Sequence, residues 1–208
     1  YSYSLDFHKI PIVDLYNFVF ENRRMNGIGY GSINFNKSNS NIVQLNDIKI
    51  LNGKLDDIDF DKFILSSIFN NEKHTISKLK INNGDSWLKA YGELDFVGNN
   101  LDSINMFLET KSFNISSLNR YINISQLIDG ELTSNFNILG NMLSPVINGE
   151  ISLKKPIFDK IIGNDANLKV KYKNNILYLS KIDLSTDVGN YYGRINLPFN
   201  VSLYDLRF

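Results

Sequence analysis

Cysteine is absent from the 208 residues. That excludes thiolate catalysis, cysteine-ligated zinc and disulfides, and leaves both oxidising and reducing compartments open. Proline occurs 4 times and histidine twice. His8 and His74 form no ligand-spaced set and no His-x-x-Glu pattern, so both are expected at the surface or a strand edge rather than on a metal. No run of 18 or more apolar residues occurs, and no charged stretch leads into an apolar one. Neither a membrane-spanning helix nor a signal peptide is therefore expected within the chain. Excess charge is missing too: 22 basic and 22 acidic side chains cancel. Without a basic stripe in the sequence, nucleic acid is not an expected partner.

Catalytic signatures are equally sparse. There is no G-x-S-x-G elbow and no P-loop G-K-[ST], and the carboxylates are scattered, so no enzymatic activity and no cofactor are expected. Asp57-Ile58-Asp59-Phe60-Asp61 begins like a calcium loop, but Lys62 stands where glycine is needed and Ile68 where glutamate is needed. A strand with its acidic side in water fits better. Gly27, Gly29 and Gly31 lack the second half of the dinucleotide fingerprint and lead into a strand pattern, so a bend or a close backbone approach is expected there. Trp87, the single tryptophan, reads as a core aromatic.

What the chain does have is internal repetition. Displacing it by 103 positions sets Leu15 on Leu118, Gly27 on Gly130, Asn34 on Asn137, Ile48 on Ile151, Ile58 on Ile161, Leu65 on Leu168 and Asn71 on Asn174. Ser77-Lys78-Leu79 meets Ser180-Lys181-Ile182, and with a two-residue deletion Tyr91-Gly92 meets Tyr192-Gly193. Two tandem repeats are expected, 1–103 and 104–208, sharing a continuous sheet. The chain opens at Tyr1 already in strand-like alternation, which suggests a piece of a longer protein.

Each repeat reads as one short helix followed by several antiparallel strands. Ile12, Leu15, Tyr16, Val19 and Phe20 have helical spacing, and their counterpart carries Leu118, Tyr121, Ile122 and Ile124 behind Ser116 or Ser117 as N-cap. Period-2 alternation marks Gly31–Asn36, Ser134–Ile138, Gly92–Phe96, Leu168–Lys173 and Gly193–Leu197. Asn174-Asn175 is a turn signal, after which Ile176, Tyr178, Ile182 and Leu184 are expected to share a face.

The stretches Ile128-Asp129-Gly130-Glu131-Leu132, Ile138-Leu139-Gly140, Ser144–Leu153 with its Pro145 and Gly149, and Tyr192–Leu197 resemble the TamB/AsmA-like family. Residues 1–100 lack the Leu-Gly and proline portion of that pattern. The resemblance implies a mainly β fold with short helices, a curved antiparallel sheet forming a β-groove, or β-taco. It implies a non-enzymatic, envelope-spanning scaffold on the periplasmic face, anchored to the inner membrane by a segment absent here. Phospholipid acyl chains would be the cargo, with transport between inner and outer membranes or outer-membrane assembly as the function and an outer-membrane β-barrel protein as a partner. Groove-lining candidates are Ile33, Phe35, Leu94 and Phe96 in the first repeat. In the second they are Phe136, Ile138, Ile151, Leu153, Leu168, Val170, Tyr172, Ile195 and Leu197. The same side chains would serve a β-repeat adhesin or ligand-binding module with a closed, packed core, because alternation marks an apolar face without saying what covers it.

Overall fold

The computed structural model describes residues 1–13, 25–37, 41–55, 58–98, 100–118, 128–141 and 144–198. Almost all of them are antiparallel strand, as the alternation predicts. Two compact units divide between Met106 and Phe107. The first contains β1 (Ser2–Pro11), β2 (Met25–Lys37), β3 (Asn41–Leu55), β4 (Ile58–Asn70), β5 (Lys73–Asn83) and β6 (Ser86–Val97), each paired with the next, followed by the start of β7 (Asn100–Asn114). The second holds the rest of β7, then β8 (Ile128–Asn141), β9 (Val146–Phe158), the short β10 (Ile161–Ile162), β11 (Asp165–Lys173), β12 (Ile176–Thr186) and β13 (Gly189–Pro198). Here β10 and β11 both pair with β9, and β12 and β13 complete a meander.

The repeat is written in the backbone as well as the side chains. Positive φ angles recur 103 residues apart: Lys9 and Ser112 (57° and 49°), Gly27 and Gly130 (140° and 132°), Asn52 and Lys155 (both 48°), Asn71 and Asn174 (44° and 53°). Turn registers recur at the same offset. Leu55 pairs with Ile58 as Phe158 does with Ile161, and Asn70 with Lys73 as Lys173 does with Ile176. A left-handed residue inside a strand marks a bulge, which bends and twists the sheet. Bulges interrupt nearly every pairing, and the sheet of each unit is accordingly curved.

Several expectations are corrected. Ser77-Lys78 lies between the pairs Ile76↔Gly92 and Leu79↔Ala90, and Ser180-Lys181 lies between Leu179↔Ile195 and Ile182↔Gly193. Gly92 therefore corresponds to Ile195 rather than Gly193, and no deletion exists. The recurrent Tyr-Gly pair is misleading. On β12, Leu177 and Leu179 face Tyr172 and Val170, whereas Ile176 and Tyr178 oppose Lys173 and Lys171. The bulge then shifts the period, so Ile182 and Leu184 join the face of Leu177. The first predicted helix falls mainly on 14–24, outside the described residues, and Ile10 and Pro11 belong to β1. Its counterpart begins as a 3-10 turn, Ile115–Leu118, and Tyr121, Ile122 and Ile124 lie outside the described residues. The cap there is Asn114, whose Oδ1 accepts bonds from the Ser116 N–H at 2.8 Å and from its hydroxyl at 2.6 Å.

Gly29 is the close approach the sequence anticipates: a Cβ there would lie 2.3 Å from Ile12 Cδ1. Ile12 thereby reaches Ile50, Phe60 and Phe63, with Met25, Leu55, Leu65, Leu79 and Ile81 packed around them. Phe60 is 3% exposed between the water-facing Asp59 and Asp61. Asp61 accepts the Gly84 N–H at 2.7 Å, so those acids belong to a strand and its turns.

Candidate functional site

Cross-strand register decides which side chains can act together, because residues directly opposite each other share a face. In the first unit two rows cross the sheet above the bulges. One runs Tyr3, Phe35, Val43, Phe69, His74, Leu94, and the next runs Leu5, Ile33, Leu45, Ser67, Ile76, Gly92. Phe96 joins them through its ring, 6.0 Å from that of Phe69. The reverse face is polar, with a row of Ser4, Asn34, Gln44, Ile68, Thr75 and Glu93. The structure thus brings Ile33, Phe35, Leu94 and Phe96 together. It adds Tyr3 and Leu5 from the alternating start of the chain, together with Phe69 and with Val43 and Leu45 on β3, where a bulge at Asp47 breaks the period.

The apolar rows are partly open to water: Ser67 is buried and Ile33, Val43, Leu45 and Leu94 are half-buried, but four apolar side chains stand exposed, unlike the cluster under Ile12. Tyr3, Leu5, Phe35 and Phe69 are 64%, 57%, 42% and 38% exposed. His74 stands half-buried within this face. Its ring meets Phe69 edge-on at 5.9 Å, and burial lowers its pKa. Trp87 departs from expectation: it lies on the reverse face opposite Asn82, with Lys89 Nζ 3.9 Å from the ring centroid.

The second unit separates its faces more cleanly. Ile138, Ile147, Tyr172, Leu177 and Leu197 form one row, and Phe136, Gly149, Val170, Leu179 and Ile195 the next. Ser134, Ile151 and Leu168 follow, then Leu132, Leu153, Ala166, Leu184 and Tyr191. All nine candidates of this repeat therefore share one face. The Phe136 ring lies over Gly149, where a Cβ would sit 2.3 Å from it. Tyr172 is buried, donating its hydroxyl to Asn175 Oδ1 at 3.0 Å, while Ile195 and Leu197 on β13 are exposed. Two further buried residues, Thr110 and Ser134, bond each other through their hydroxyls at 2.9 Å. On the reverse side Asn137, Asn148, Lys171, Tyr178 and Asn196 align, and Lys169 bridges Glu150 at 2.7 Å, holding that carboxyl below its usual range.

Among the described residues no three His, Asp or Glu side chains converge as a metal site. No family model, characterised protein or solved structure matches the chain.

Proposed function

We propose that this chain is a non-enzymatic segment of a cell-envelope scaffold whose apolar faces carry phospholipid acyl chains. In this reading it works on the periplasmic side, anchored at the inner membrane and serving lipid transport or outer-membrane assembly, with an outer-membrane β-barrel protein as partner of the complete protein. The observation that supports it is the in-register exposure of Tyr3, Leu5, Phe35 and Phe69 on one face of the first unit. Scattered apolar residues on a surface mean little, whereas a contiguous patch marks an interaction. Acyl chains suit it because an alternating strand can keep methylenes on one side and water on the other. The packed cluster beneath Ile12 favours a closed binding module for its own half of that unit only.

Native mass spectrometry of the purified chain tests the proposal. Co-isolated phospholipid, or uptake on reloading after delipidation, is expected, and Phe35→Asp is expected to reduce it several-fold. Absence of lipid both before and after reloading would overturn the reading.

A further inference from the structure

The reverse face of the first unit gathers positive charge that is dispersed in the sequence. Lys49, Ile64, Lys80 and Lys89 stand in one cross-strand row. Beside it runs the row Lys62, Asn82, Trp87, and Lys78 opposes Ser66 on the other side. Lys80 and Lys89 are directly opposite, an arrangement that repels. Lys89 is drawn over the Trp87 ring. Lys49, Lys62, Lys78 and Lys80 make no ion pair among the described residues. Three nearby carboxylates have partners of their own: Asp47 accepts from Ser66 Oγ at 3.2 Å, Asp61 from the Gly84 N–H, and Asp59 faces Lys54 at 3.9 Å. Nor is this a general property of the repeat. At the equivalent positions the second unit has Ser152, Asp165, Lys181 and Asp183 in place of Lys49, Lys62, Lys78 and Lys80.

We infer that this lysine face of the first unit docks on an anionic phospholipid surface. Clustered ammonium groups attract such a surface by about 1 kcal/mol each. Trp87 beside them has the amphipathic ring that settles at the boundary of headgroups and acyl chains. The inference does not depend on the acyl-chain reading, since it concerns the opposite face.

Trp87 is the only tryptophan, so fluorescence excited beyond the tyrosine absorption band reports this patch alone. Mixed phosphatidylglycerol–phosphatidylcholine vesicles are expected to shift its emission to the blue and to sediment the chain, whereas pure phosphatidylcholine does neither. Raised salt should release the chain. The triple variant Lys49→Gln, Lys62→Gln, Lys80→Gln should bind about a hundredfold more weakly, and the corresponding arginine triple should bind as the parent does. Equal binding to neutral vesicles, an unmoved Trp87 emission, or undiminished binding of the glutamine triple would overturn the inference. Preference for polyglutamate over vesicles would assign the face to an acidic polypeptide and overturn it too. Phe35→Asp, which tests the apolar face, should leave vesicle docking unchanged, so failures of the two proposals are distinguishable.

Discussion

The surroundings of His74 are set by its cross-strand row. In the sequence it is a lone histidine with no partner, and the surface is where such a residue usually belongs. Register sets it half-buried between Phe69 and Leu94, where partial burial disfavours the imidazolium. A histidine whose folded pKa is depressed holds fewer protons folded than unfolded. Above the ordinary value of 6.5 both states are neutral and it contributes nothing. As pH falls through 6.5 the unfolded chain protonates first, and stability is lost until the folded-state pKa is passed. Urea unfolding at pH 7 and pH 5 should therefore show a decline that His74→Phe reduces. At pH 7 the variant should lie within about 1 kcal/mol of the parent. An identical decline in both proteins would remove His74 as its source. Aromaticity alone suggests a core position for Trp87, and only its pairing with Asn82 puts the ring on the reverse face.

At the scale of the strand, alternation is legible between bulges and misleading across them. Leu168–Lys173 contains no left-handed residue, and its two faces follow from its alternation. The strand after its turn contains Lys181 at φ 51°, and an unbroken period carried across it puts Ile176 and Tyr178 on the wrong face. Nothing in a lysine announces a left-handed conformation, whereas Gly27 and Gly130 advertise theirs and anchor the repeat. Both glycines sit at the same register shift, between β2 and β3 and between β8 and β9. Their surroundings differ, however. A Cβ on Gly27 would come within 2.5 Å of Ile50 Cγ2 in the packed cluster, whereas on Gly130 the nearest atom is Lys154 O at 3.1 Å. Alanine is strained at either φ, at a cost of about 1–3 kcal/mol, and Gly27→Ala must also displace Ile50. The urea midpoint should fall for both variants and further for Gly27→Ala. Equal losses would mean that the backbone conformation alone decides.

For the molecule as a whole, the duplication and the two-faced character of its strands were visible in the sequence, but not which apolar rows are covered. Coverage depends on contacts between distant elements. Ile12 closes over Gly29 onto Phe60 and Phe63, while Leu5 and Phe35 lie on the open rows. The two regions should respond in opposite ways to the same chemical change. Phe60→Asp places a carboxylate without a partner at a site 3% exposed, a change expected to cost more than about 4 kcal/mol and to unfold the chain. Leu5→Asp places it at a site 57% exposed, where water keeps the charge solvated and the cost should stay near 1 kcal/mol. Circular dichroism with urea titration separates these outcomes. If Leu5→Asp leaves the strands intact but abolishes phospholipid uptake, the open rows are held exposed for a ligand. If it unfolds the chain as Phe60→Asp does, those rows are core, and a closed binding module becomes the better account of the first unit.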